Sequence, residues 1–365
     1  MIYLCLFIPV IAVIVLSIKF PRELTFLERA LLFVIPVIAI IISKFVSVAT
    51  QTHDTEFWNS YGTKAIYYER WNEWIEKQCC AEEDTSGNCV RWEDCSYCED
   101  HPAYWEIYDN MGKCYSYDSR SFEQTATMWG NREFRDEHRD YHTVDGDAYV
   151  TNYDQIFDHT VPICKSYTYE NRIQCSKSIL NYDDVDTAVI RQYDLYSYPS
   201  AKNIFNYNPI IGVSDIKASN RLQWFNAHLG SKKQVHMMIL VFHNQPVRAA
   251  LLQKQHWKRG NKNEFILCIG RKKDETKWAQ VFSWTDNKDV MVRVGRKARE
   301  MEFDMVKIVD MMADEVEKHF VRKQFADFSY IKVEPTTKAV LITYFITVLI
   351  TGIIAVITIK NDYTR

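Results

Sequence analysis

Residues 234–270 read QVHMMILVFHNQPVRAALLQKQHWKRGNKNEFILCIG, and the reading of this stretch decides the fold. Val235 to Phe242 is an almost unbroken apolar run, too short to span a membrane and of the length of a fully buried strand. A helix is expected from Pro246 to Trp257, and a second strand from Glu264 to Gly270. Strand, helix and strand within about thirty-five residues make a βαβ unit, whose parallel strands lie in a sheet covered on both faces. Outward from it, a helix is expected at Asn220 to Leu229, a third strand at Trp278 to Trp284, and a long amphipathic helix from Met301 to Phe325 that closes the domain.

Further out the chain changes character. The mean hydropathy of -0.28 is an average over unlike parts. Residues 1–18, MIYLCLFIPVIAVIVLSI, carry no charge and nearly cross a hydrocarbon layer of about 30 Å. A second apolar stretch runs from Ala30 to Ala49 with Lys44 near one end, and a third from Ala339 to Ile359 between Lys338 and Lys360. Thr343, Thr347 and Thr351 recur every four residues, a weakly polar stripe that would pack on the other spans or join a second copy as a homo-oligomer through the C-terminal helix. A cleaved signal peptide is disfavoured, because no basic residue precedes the first run and no small-x-small site follows it. Lys19, Arg22 and Arg29 in the short loop, with Lys360 and Arg365 in the tail, place those segments in the cytoplasm. The intervening chain then lies on the opposite side.

That intervening chain reverses its charge. Residues 51–200 hold 29 acidic against 13 basic residues, a net -16, and residues 201–338 hold 15 against 25, a net +10. Two ectodomains are expected, an acidic one at 51–205 and a basic one at 206–335, between a helical hairpin at 1–50 and a last span with its tail at 336–365. The basic half lacks the spaced aromatic and arginine platforms of nucleic-acid binding, so no nucleic acid is expected as partner. Eight of the ten cysteines (Cys79, Cys80, Cys89, Cys95, Cys98, Cys114, Cys164 and Cys175) fall in the acidic half. An even set outside the cytoplasm reads as a disulfide framework, with Cys164 and Cys175 facing each other across a turn at Thr168 to Asn171. The rivals are a zinc site around Cys95-Ser-Tyr-Cys98 with Cys80, Cys89, His101 and Cys114, and a redox pair that the surrounding Glu93, Asp94, Glu99 and Asp100 disfavour.

His138, His142, Asp145 and Asp147 form a candidate metal cluster for zinc or calcium if helical. Alternation around Asp145-Gly146 reads instead as a hairpin turn. Trp58, Tyr61, Tyr67, Tyr68, Trp71 and Trp74 have helical spacings of three, four and seven, as in a helix leaving a membrane. There is no Gly-rich phosphate loop and no GxSxG, and no nucleophile with an adjacent base stands out. No Asn-x-Ser/Thr acceptor occurs, which disfavours a eukaryotic secretory protein.

With QVHMMILVF, VRAALLQKQHW, Gly260, Asn263 and EFILCIG on the page, residues 219–326 resemble the TPM-domain family of membrane-anchored extracytoplasmic α/β domains. Lys258-Arg259-Gly260 and Asn263-Glu264 depart from the family's Gly-Ile-Gly and Asn-Gly. The phrases DTEFWNS, HPAYWEIYDNMGK, HRDYHTVDGDAYVTNYD and YTYENRIQCSKSIL resemble uncharacterised membrane proteins of tailed bacteriophages. The expected fold class is thus an α/β and α+β membrane protein: transmembrane hairpin, cysteine-bearing mixed α+β ectodomain, TPM-like α/β domain and C-terminal transmembrane helix. The resemblance implies a bacterial inner membrane with the ectodomain on its periplasmic or outer side. The function expected is non-enzymatic, binding a protein partner or modifying the envelope without a cofactor. The alternative it implies is a metal-dependent phosphatase with carboxylates at the ends of the parallel strands, near Phe242 to Gln245 and Gly270 to Asp274.

Overall fold

The computed structural model describes residues 1–21, 24–68, 70–117, 148–152, 161–176, 184–199, 207–273 and 275–362. It divides into two compact units. One comprises Met1–Thr55, Thr168–Asp183 and Gln324–Arg365, and the other Glu56–Tyr167 and Asp184–Lys323.

Among the described residues, the first unit contains three helices long and apolar enough to cross a membrane. They are α1 (Phe7–Lys19, entered through a 3-10 turn at Ile2–Leu6), α2 (Phe26–Thr52) and α8 (Thr337–Asp362). A capping box starts α2: the Glu28 amide donates to Thr25 Oγ1 at 3.3 Å, and the Thr25 amide to the Glu28 carboxylate at 2.8 Å. Ile2, Cys5 and Ile40 pack at one level and Leu16, Leu24 and Leu32 at another, while Ile11, Phe33, Ile38 and Phe345 stay exposed, as hydrocarbon surroundings require. Thr343, Thr347 and Thr351 are buried within this unit. Thr343 and Thr347 donate to carbonyls one turn back, at 2.8 and 2.7 Å. The stripe is therefore packed within one chain, the first of its two expected roles.

The second unit contains the βαβ unit as expected. Its sheet has the order β10 (Ile210–Ile211), β11 (His236–His243), β12 (Glu264–Lys272), β13 (Glu275–Ser283). β11 runs parallel to β10 and β12, and β13 is antiparallel to β12. Met237, Ile239, Val241, Phe265, Leu267 and Ile269 enter one core with α4 (Ile216–Lys233), α6 (Asp289–Glu300) and α7 (Met305–His319). Met238, Leu240, Phe242, Ile266 and Cys268 enter the other with Ile190 of α3 (Thr187–Gln192), α5 (Arg248–His256) and Trp257. Alternate residues of one apolar run thus feed two cores, which is why the run has no polar phase. Gly270 stands opposite Trp278, whose indole occupies the space a Cβ would need.

Two expected helices are corrected. The stretch Met301 to Phe325 is α-helical only over Met305–His319, because Asp304 caps its start by accepting from Val306 and Lys307 amides at 3.0 and 3.1 Å. The helix ends at His319, beyond which the Val321 carbonyl is taken by the Asp286 amide and the Thr285 hydroxyl. The aromatic run is strand, not helix: β1 (His53–Tyr68) pairs with β6 (Tyr104–Asp109), β8 (Ala148–Asn152) and β9 (Pro162–Glu170). β7 (Cys114–Tyr117) extends the sheet beside β6.

The expected boundary near residue 205 is not where the units divide. Glu56, only 3% exposed at its side chain, is held by Arg322 Nη2 at 3.0 Å to both oxygens and by Lys262 at 3.3 Å. Asn59 Nδ2 lies 2.9 Å from His236 Nδ1, and Asn263 donates to the Phe57 carbonyl at 2.5 Å. These bonds join the first acidic strand to the basic α/β sheet in one unit.

Candidate functional site

Three short strand pairs within the second unit share one register. In β1/β6 Tyr68 faces Tyr104, in β2 (Trp71–Ile75) and β5 (Tyr97–His101) Trp71 faces His101, and in β3 (Gln78–Glu83) and β4 (Cys89–Asp94) Gln78 faces Asp94. Each pair is equidistant from the same point, so the three are one continuous antiparallel ribbon, and the Cys95 amide bonded to the Lys77 carbonyl at 2.9 Å carries it across the gap. The part beyond Arg70 is roughly 40 Å long.

Its tip is local turn chemistry. The Asp84 carboxylate accepts from the Ser86 and Asn88 amides at 2.8 and 2.9 Å, and Gly87 takes φ +83°. Those amides hold the Asp84 carboxyl below its ordinary pKa. A two-stranded ribbon buries too little to hold itself in water. Disulfides Cys79–Cys95 (Cα separation 5.8 Å) and Cys80–Cys89 (5.5 Å) staple it, and Arg70 forks onto Asp100 with two bonds of 2.8 Å.

The ribbon exposes both faces. Trp74 is 61%, Trp92 59% and Val90 65% exposed. Trp74 stands opposite Cys98 and Trp92 opposite Cys80, so strand alternation puts both indoles on one side. Residues 70–101 hold nine acidic and three basic residues, a net -6. Arg70 keeps the Asp100 carboxyl low and Ser96 does so for Asp94, so both stay ionised well below neutral pH. On the other side Glu73 and Glu99 face each other, and with His101 their ligand atoms lie within 4.8 Å of one another. One imidazole and two carboxylates are a donor set for a divalent ion.

Of the expected disulfide residues, Cys79, Cys80, Cys89 and Cys95 are paired, whereas Cys98, Cys114, Cys164 and Cys175 are free thiols. The pairing of Cys164 with Cys175 fails because β9 runs straight through Thr168 to Glu170, leaving Cys164 buried in the strand and Cys175 in a 3-10 turn, Ile173–Cys175. Cys95 bonds across the ribbon to Cys79, which dissolves the CxxC pair and, with Cys80 and Cys89 also bonded, the zinc set built on it. His138, His142, Asp145 and Asp147 lie outside the described residues.

At the carboxyl ends of the parallel strands, Asp274, the carboxylate of the second stretch, lies outside the described residues. His243 bonds the Gly212 carbonyl at 2.6 Å, Gln245 donates to Asp194 at 2.6 Å, and Arg271, Lys272 and Lys273 follow. The carboxylate that Gln245 meets, Asp194, comes from the turn after the helix Thr187–Gln192. Cys164 and His236 are both fully buried, and burial drives the thiol up and the imidazole down to about 3, so each is held neutral.

No family model, curated protein or solved structure matches the chain.

Sequence reasoning missed Trp74, Trp92, Glu73 and Glu99 as surface groups. Asp84-Thr85-Ser86-Gly87-Asn88 between Cys80 and Cys89 was the signal that could have found the ribbon.

Proposed function

We propose that this is a non-enzymatic integral membrane protein whose stapled acidic ribbon captures a basic protein surface outside the cytoplasm, at the periplasmic or outer side of a bacterial inner membrane. The observation that carries the reading is the ribbon itself: a disulfide-stapled two-stranded arm with two exposed tryptophans on one side and a net charge of -6. Aromatic side chains give contact area at small entropic cost, and the carboxylates steer a cationic partner and set register. The two disulfides and the basic residues of the short loop and tail support the orientation, since disulfides persist in oxidising compartments. The TPM-type and phage-type resemblances support the envelope setting.

A photo-crosslinker at Trp92 in the full-length protein in native membranes tests this. A discrete adduct is expected, lost with E93K/D94K and absent when the crosslinker replaces exposed Leu251. No adduct at Trp92, or one indifferent to charge reversal, overturns the reading.

A further inference from the structure

The same unit that carries the acidic ribbon carries a groove of the opposite character. It lies between β13 and α6 and encloses about 430 Å³. Ala279, Val281 and Met291 form its floor, and Arg296 and Arg299 stand at its rim. β13 is paired on one side, by β12, and its other edge is open among the described residues. Arg293, Arg296 and Arg299, three apart on α6, are exposed and have no ion-pair partner among the described residues, and Val292 beside them is 70% exposed.

We propose that the occupant of this groove is the acidic ribbon of a second copy of the chain. The inference rests on the ribbon being a capture arm and names its partner. Three observations select a second copy. The charges are complementary, nine carboxylates on the ribbon against three unpaired arginines on α6. The apolar elements match as well, with Trp74, Trp92 and Val90 on the arm against the groove floor and Val292, and an extended strand can add to the open edge of β13 while arginines read its carboxylates. Finally, both surfaces stay uncovered within one copy, so the ribbon does not satisfy its own groove. Helices that hold every copy in one membrane plane raise the effective concentration of arm and groove. The contact is distinct from the threonine stripe of α8, which is buried within its own chain.

Two differently tagged full-length copies, co-expressed and extracted in mild detergent, provide the test. Wild-type copies should co-purify. Copies that all carry R296E/R299E, or all carry E93K/D94K, should lose at least tenfold of that association. Mixing the groove-reversed with the arm-reversed copy should restore it, because the lysine arm then meets a glutamate groove, a recovery that misfolded variants could not give. Independently, Val292→Cys should form an intermolecular disulfide with the exposed native Cys98 under mild oxidation, abolished by Cys98→Ser. Wild-type copies that do not associate, or association indifferent to both reversals, would overturn the proposal. A Trp92 crosslink adduct with a different protein would also overturn it while leaving the capture reading intact, whereas no adduct at all would remove both.

Discussion

Glu56 shows how much one side chain can decide. Its carboxylate is nearly inaccessible and is shared by Arg322, Lys262 and the Trp58 indole, which donates at 2.8 Å. Leaving two largely covered cations, Arg322 and Lys262 at 10% and 15% exposure, without their anion is expected to cost about 3 kcal/mol, so Glu56→Gln should lower the unfolding free energy of the second unit by that amount in chemical denaturation. A midpoint within error of wild type would mean that β1 is not anchored through this residue. His236 gives a pH signature. It is fully buried, with its imidazole pushed down to about 3 by desolvation from an ordinary 6.5. Between those values the unfolded chain binds a proton that the folded chain excludes, so this group's contribution is complete above pH 6.5 and is lost as the pH falls toward 3. Acidification from pH 7 to pH 5 should remove about 2 kcal/mol through this group, and His236→Gln should flatten that part of the stability curve. Equal slopes in the two proteins would contradict the burial of the ring.

Among the elements, the ribbon depends on its staples. Replacing Cys79 and Cys95 by serine opens a link that spans 16 residues, worth about 3 kcal/mol to the closed form. Because the ribbon has no core, the loss should be local: trypsin should cut after Lys77 and Arg91 in the variant but not in the oxidised protein, while amides of β11 and β12 keep their exchange protection. Simultaneous loss of protection in β11 would show that the ribbon is part of the cooperative core. These elements were unequally legible in the sequence. The βαβ unit was readable because a fully buried strand and its crossover helix are local in the chain and differ in length and period. Trp58 to Trp74 deceived because spacings of three, four and seven suit a helix, and what made β1 a strand was pairing with β6, β8 and β9, far along the chain. The ribbon was half legible. Cysteine parity indicated disulfides, but connectivity follows register, and register was readable only from the Asp84 to Asn88 turn. Asp304, an N-cap inside an amphipathic stretch, was the signal that moved the start of the closing helix to Met305.

On the scale of the whole molecule, the charge reversal separates surfaces, not units. β1 from Glu56 onward and the basic α/β sheet belong to one compact unit, and the apolar helices belong to the other with residues 168–176 and the segment leading into α8. What remains of the reversal is an acidic arm and an arginine-rimmed groove on the same unit, the arrangement on which the proposed capture rests. That account requires the ribbon to be oxidised and outside the cytoplasm. The most direct measurement is non-reducing peptide mass spectrometry on the full-length protein after intact expressing spheroplasts have been treated with a membrane-impermeant thiol reagent. The account predicts linked Cys79–Cys95 and Cys80–Cys89 peptides with Cys98 labelled from outside. Four reduced cysteines, with Cys98 labelled only after the membrane is permeabilised, would contradict it.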